Sequence, residues 1–239
     1  MGDRETVTCQ HGETTLRGFM VRPSGSGPFP AVIVMHSALG LEHQVGDKAQ
    51  ALADLGYLAV ASDMYGSGAD TSTPEKAGTQ FEPLMKDPAL LRARTVAWFE
   101  AVSALPAVDP ARIAAIGYCF GGKCVLELAR SGVDVKAVSS FHGILSTHAP
   151  AARGAIIGHV AAWCGTEDPF APAATTAALR DELAEAGARF TVTEFGGVAH
   201  SFTDPDAHRM GQPGIRYDAV ADAVSWAGTL AMLERALQR

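Results

Sequence analysis

"RIAAIGYCFGGKCVLELAR", Arg112 to Arg130, carries an apolar run into a helical run across a cysteine framed by glycines. Arg112–Tyr118 reads as a strand covered on both faces, and Phe120–Arg130 as a helix. Between them lies G-x-C-x-G, Gly117 to Gly121. Small residues at this spacing could serve close packing alone. They could equally form a turn so sharp that its central residue is strained and its side chain projects into a cleft. Neighbours two residues away then crowd strand and helix, and only very small residues fit there. The same turn sets the sulfur at a helix N-terminus, where the dipole favours thiolate over thiol. The pattern is that of a nucleophile elbow with cysteine in the serine position.

The flanking sequence supplies the matching architecture. "AVIVMH" (Ala31–His36) and "YLAVASD" (Tyr57–Asp63) are buried strands with a helix between them that Gly56 stops. "TLRGFMVRP" reads as an early edge strand. Downstream, "VKAVSSFHG", "AIIGHVAAWCG" and "RFTVTEF" are strands, with helices over "PAATTAALRDELAEAG" and the final "YDAVADAVSWAGTLAMLERALQ". Strands alternating with helices predict an α/β fold, a mostly parallel central sheet with helices on both faces. All 239 residues are expected to form one domain. From Gly66 to about Pro88 periodicity fades, which predicts a loop-rich, lid-like segment.

Composition narrows the function classes. A net charge of −7 argues against nonspecific binding to nucleic acid or anionic membrane, which need a basic surface. The N-terminus has acidic residues and no apolar core, unlike a secretory signal. Uncharged stretches such as Gly154–Gly165 fall well short of a membrane span. Gly2 with Thr6 formally matches a myristoylation pattern. Cys9, Cys119, Cys124 and Cys164 show no ligand spacing and predict reduced thiols in a cytoplasmic protein, with Cys124 and Cys164 as small buried hydrophobes.

A cysteine nucleophile needs a histidine base, and the base needs an acceptor that fixes its tautomer. In this architecture the chain order is nucleophile, acid, base, on loops at the carboxyl ends of strands. "WCGTEDPF" places Asp168 just after a strand, with Glu167 as its rival; "FGGVAHSF" places His200 just after the last strand. The oxyanion hole is expected from the N–H of Phe120 and an N–H in the loop after "AVIVMH", each donor worth about 3 kcal/mol. Ser37 lies in that loop. His142, in "SFHG", reads as cleft lining or structural core. His36, His43, His148, His159 and His208 show no ligand spacing, so neither metal nor cofactor is expected.

Taken together, "GYCFGG", "DMYGSG", "GTEDP" and "GGVAHSFTDPDA" resemble, in order, the motifs of the dienelactone hydrolase family of α/β-hydrolases. The resemblance covers nearly the whole chain. It implies Cys119 as nucleophile, His200 as base, Asp168 as orienting acid, and oxyanion donors at Ala38 and Phe120. Two positions depart from the family pattern. Ser37 stands where well-studied members carry a glutamate that takes the thiol proton, and Asp204 where they carry an arginine that holds a substrate carboxylate. The expected function is hydrolysis of a small-molecule ester or lactone through a cysteine thioester, with Ser37 and His142 against the substrate, in a monomer or homodimer. Alternatives are acyl transfer or carbon–halogen cleavage on the same triad, or a non-enzymatic redox-sensing or ligand-binding role for Cys119.

Overall fold

In the computed structural model, residues 4–237 are described; Gly2 of the myristoylation pattern lies outside them. The strands are β1 (Arg4–His11), β2 (Thr14–Val21), β3 (Phe29–Met35), β4 (Leu58–Ser62), β5 (Val108–Tyr118), β6 (Ala137–Phe141), β7 (His159–Gly165) and β8 (Arg189–Phe195). They form one sheet in the order β1-β2-β4-β3-β5-β6-β7-β8. From β4 to β8 every neighbouring pair is parallel, while β1–β2 and β2–β4 are antiparallel.

The helices are α1 (His43–Asp54), α2 (Pro74–Lys86), α3 (Pro88–Ser103), α4 (Phe120–Arg130), α5 (Ala173–Glu185) and α6 (Ala219–Leu237). Side-chain alternation along each strand feeds two cores. On β3, Ala31, Ile33 and Met35 pack with residues of α3, α4 and α5, whereas Val32 and Val34 pack with α1 and α6. A strand buried on both faces must be apolar at successive positions, which is why "AVIVM" shows no alternation. Among the described residues, no helix is long and apolar enough to cross a membrane.

Two segments differ from the sequence expectation. The early strand is not the sheet edge, because β1 precedes it and pairs along its full length. Val7 and Cys9 of β1 are buried between exposed Thr6 and Thr8, the alternation of a strand covered on one face. The loop-rich 66–88 segment also contains a 13-residue helix, α2. Thr73 caps it by accepting the Lys76 N–H at 3.3 Å, and Pro74 occupies its first turn. Gly78 and Pro83 mask its periodicity, and only Ala77 and Leu84 are buried.

The elbow sits at the centre of the sheet, where β5 ends and α4 begins. A Cβ on Gly121 would overlap the Met35 carbonyl, and one on Gly117 would overlap the Gly121 carbonyl. Both obstacles are backbone, so neither can give way by a rotamer change. Gly121→Ala is therefore expected to destabilise the protein by about 3 kcal/mol, read as a lowered midpoint in urea unfolding. A midpoint equal to wild type would show that the elbow has slack.

Candidate active site

Cys119 joins β5 to α4 with φ 55° and ψ −113°, a conformation L-residues rarely adopt. Its N–H donates to the Phe141 carbonyl at 3.0 Å, tying the strained residue to β6. Asp168 lies in the turn after β7, and His200 follows β8 across "GGVA". Both are buried. His200 Nδ1–H donates to Asp168 Oδ2 at 2.7 Å, while Asp168 Oδ1 accepts the Phe170 N–H at 2.8 Å. That leaves Nε2 for the Cys119 sulfur, with which His200 is hydrogen-bonded. Glu167, the rival acid, points outward and pairs with Arg216 at 3.2 Å. The structure thus brings together Cys119, Asp168 and His200, contributed by the ends of three parallel strands.

The electrostatics of the pair are mutual. Burial alone pushes the Cys119 thiol up. The His200 imidazolium, its hydrogen bond and the N–H groups of Ala38 and Phe120 outweigh that and hold it below the ordinary thiol value. Burial likewise pushes His200 down, but the Cys119 thiolate and the bonds to Asp168 and Cys119 raise it to about 10. The two shifts reinforce each other and favour a thiolate–imidazolium pair. The half-buried sulfur lies between the two N–H groups expected to form the oxyanion hole.

One residue that sequence reasoning quoted only inside a motif holds this hole in place. The Tyr65 hydroxyl donates to the Ala38 carbonyl at 2.7 Å, fixing the plane of a peptide adjoining the Ala38 N–H. Tyr65 is itself anchored: its N–H and that of Gly66 donate to Asp63 at 2.8 and 2.9 Å. Trp98 Nε1 donates to the Asp63 carbonyl at 2.6 Å. Buried His36 completes the support. Its Nδ1–H donates to the Ser37 carbonyl at 2.6 Å, and Nε2 accepts the Met64 N–H at 3.0 Å. Chain order gives no sign of these contacts, because they link the β3 and β4 loops across about 28 residues.

A cavity of about 220 Å³ opens over Cys119 and His200. Phe81 of α2 and Phe170 line it together with Ser37, Ala38 and His142. Among the described residues no lysine or arginine lines it, whereas Glu42 and Asp204 do. Glu42 is held above the usual carboxylate range by burial and by Asp204. Ser37 Oγ accepts the Leu39 N–H at 3.1 Å, bracing its own turn. His142, with φ 39°, bonds Thr203 Oγ1 through Nε2 at 2.8 Å, and its buried Nδ1 has no partner among the described residues. Burial and the nearby His200 charge push His142 well below the ordinary histidine value, so it stays neutral. His43, Asp204 and Asp206 converge beside the cavity mouth as a surface group, with His43 Nε2 at 3.7 Å from Asp206.

Comparison with known proteins places this arrangement. Residues 16–237 match the family model described as the dienelactone hydrolase family. The chain is 36% identical to the dienelactone hydrolase-like promiscuous phosphotriesterase P91 from metagenomic libraries, with a TM-score of 0.92 and 98% of each chain covered. It is 34% identical to a structure named m3DLH, with a TM-score of 0.93 and 99% of each chain covered. A Caenorhabditis elegans protein, K02A2.1, is 32% identical over 61% of this chain and 94% of its own length. The Pyrococcus horikoshii acylaminoacyl peptidase, 15% identical with a TM-score of 0.70, shares the fold.

Proposed function

The chain belongs to the dienelactone hydrolase family, and from that premise we propose that it hydrolyses a carboxylic ester or lactone through a Cys119 thioester. The observation that carries this reading is the continuous chain Asp168–His200–Cys119, ending on a sulfur between the Ala38 and Phe120 N–H groups. The Cys119 thiolate attacks the carbonyl carbon, forming the C–S bond while the π pair moves onto oxygen. That oxyanion takes the two N–H donors as the sulfur gives up its charge. Collapse breaks the C–O bond, and His200 Nε2–H protonates the leaving alkoxide. Once the sulfur is acylated, the thiolate that raised His200 is gone, and burial then favours neutral imidazole. Neutral Nε2 takes a proton from water, hydroxide attacks the thioester, and the C–S bond breaks to return the thiolate. Asp168 holds Nδ1–H throughout, so that Nε2 is the nitrogen that exchanges protons.

Ser37 cannot hold a thiol proton as a glutamate can, and the resting ion pair makes such a residue unnecessary. His142 and Ser37 shape the adjoining wall against the substrate. The segment bearing Phe81 covers the cleft as a lid. Mass spectrometry of intact protein after brief exposure to p-nitrophenyl acetate tests the route. One acyl adduct is expected on wild type, none on Cys119→Ala, and a persistent or slowly formed adduct on His200→Ala. Turnover without any adduct, or an unaffected Cys119→Ala, would overturn it.

The cavity also sets substrate charge. With Glu42 and Asp204 on its wall and no lysine or arginine among its described lining residues, it disfavours the carboxylate that an arginine would hold. Acyl esters of equal size should rank neutral over anionic by about tenfold in kcat/KM. Asp204→Asn should narrow that gap, and equal rates for the two esters would remove Asp204 from this role. The likeness to P91, together with a largely apolar cavity, supports a second reading: slower hydrolysis of an uncharged phosphotriester at the same sulfur.

A further inference from the structure

At the far end of the sheet from Cys119, the amino ends of β5 to β8 and the last turns of α6 enclose a cavity of about 690 Å³. Arg112, Lys136, Arg189 and Arg235 line it, with His159 and, among the described residues, a single acid, Asp109. In a chain of net charge −7, four of the 19 lysines and arginines at one cavity reverse the local sign. Two of them are balanced: Asp109 accepts from Arg112 at 2.7 Å, and Asp134 from Lys136 at 2.6 Å. Arg189 and Arg235 have no acidic partner among the described residues. Burial, then the Arg189 charge, push His159 below its ordinary value, so it adds a neutral ring bonded to Thr191 at 3.1 Å. One wall is apolar. Ile157 is 58% exposed there and lines the cavity with Met232 and Ala236.

We infer that this cleft binds a small molecule carrying two or more phosphate groups beside an apolar or aromatic portion. Guanidinium groups present paired donors that match phosphate oxygens, and unpaired ones pay no ion-pair exchange on binding. The exposed Ile157, with the edge of the buried Met232 beside it, offers a surface for a flat ring. The volume falls in the range of about 300–1,000 Å³ usual for small-molecule sites. β7 alone runs seven residues between the two ends of the sheet, roughly 20 Å. The cleft is therefore separate from the chemistry at Cys119, and the inference stands independently of the proposed hydrolysis.

ADP, inorganic tripolyphosphate and adenosine are the probes, titrated into the whole protein by calorimetry. ADP should saturate one site per chain, tripolyphosphate should compete with it, and adenosine should not bind. The exposed pair Arg189→Ser with Arg235→Ser should weaken ADP at least tenfold and leave ester turnover unchanged. On the unmodified protein, ADP should also slow acetylation of Lys136, read by peptide mass spectrometry, which keeps the test valid should the double variant fold poorly. No saturable ADP binding, equal affinity in the double variant, or unprotected Lys136 at saturating ADP would each overturn the inference. So would a thermal shift reproduced by sodium chloride at matched ionic strength.

Discussion

His200→Ala is expected to lower kcat/KM for a neutral ester about 10⁴-fold, with Asp168→Asn nearly as severe. The losses should not add, because Asp168 acts through the ring that His200 supplies. The alanine variant also carries a spectroscopic signature. His200 is the strongest influence holding the Cys119 thiol low, and without it burial dominates and pushes the thiol up. Thiolate absorbance, present in wild type below the ordinary thiol value, should then emerge only at higher pH. The pH profile follows from the same pair. Acylation should rise as Cys119 ionises, below the ordinary thiol value, and fall near pH 10, where the imidazolium loses the proton the leaving group needs. Superimposable thiolate titrations of wild type and His200→Ala would remove the ion pair from the mechanism.

The second large effect concerns stability. Glu127 is fully buried on α4, where Arg130 reaches Oε1 at 3.0 Å and Arg92 reaches Oε2 at 2.6 Å. Arg130 continues to Glu182 of α5 at 2.7 Å, and Lys123 donates to the Ser146 carbonyl at 2.6 Å. Arg92 also donates to the Ala149 carbonyl at 2.9 Å, so the network ties α3, α5 and the 145–151 loop to α4. Glu127→Ala leaves the buried Arg130 and the partly buried Arg92 guanidinium groups without their shared anion and should destabilise by about 3 kcal/mol, read by urea unfolding. Burial pushes the Glu127 carboxyl up, but Arg130, Thr147 and Arg92 outweigh it and hold the group below its ordinary range. Its stabilisation is thus present above the unfolded-state value and lost as pH falls through the lower folded value. A Glu127→Gln variant should unfold with a shallower dependence on pH in acid. An unchanged midpoint for Glu127→Ala would mean that the arginines find water or another acceptor.

The parallel sheet and the meeting of Cys119, Asp168 and His200 were legible because local signals carry them. Continuous apolar runs mark doubly covered strands, and the elbow spacing marks the strand-to-helix turn. Carboxyl-end loops mark where the acid and base hang. β1 escaped because "RETVTCQH" is half polar, as a one-sided strand must be. α2 escaped because Gly78 and Pro83 break its pattern, although the Thr73–Pro74 start signal was present. Tyr65 and Glu127 were beyond reach for another reason: each acts through contacts between segments distant in the chain. The separation of Glu167 from Asp168 also needed three dimensions, since only the fold shows which carboxyl faces inward.

Strain and support are unevenly shared between the two halves of the cleft. Cys119 is wedged among glycines at the centre of the sheet, whereas His200 hangs from the far edge. There it is clipped by backbone bonds to Gly214 at 2.9 Å and from Arg216 at 3.0 Å, which close a loop of some dozen residues. That loop supplies Ser201, Asp204, Met210, Gln212 and Ile215 to the cavity wall. Its cavity-facing side chains can therefore change without altering Cys119 or its surroundings, while Phe202, Thr203 and Ala207 stay buried in the fold. The fold separates an inherited engine from an exchangeable faceplate, and new substrates should be acquired through substitutions between residues 201 and 215.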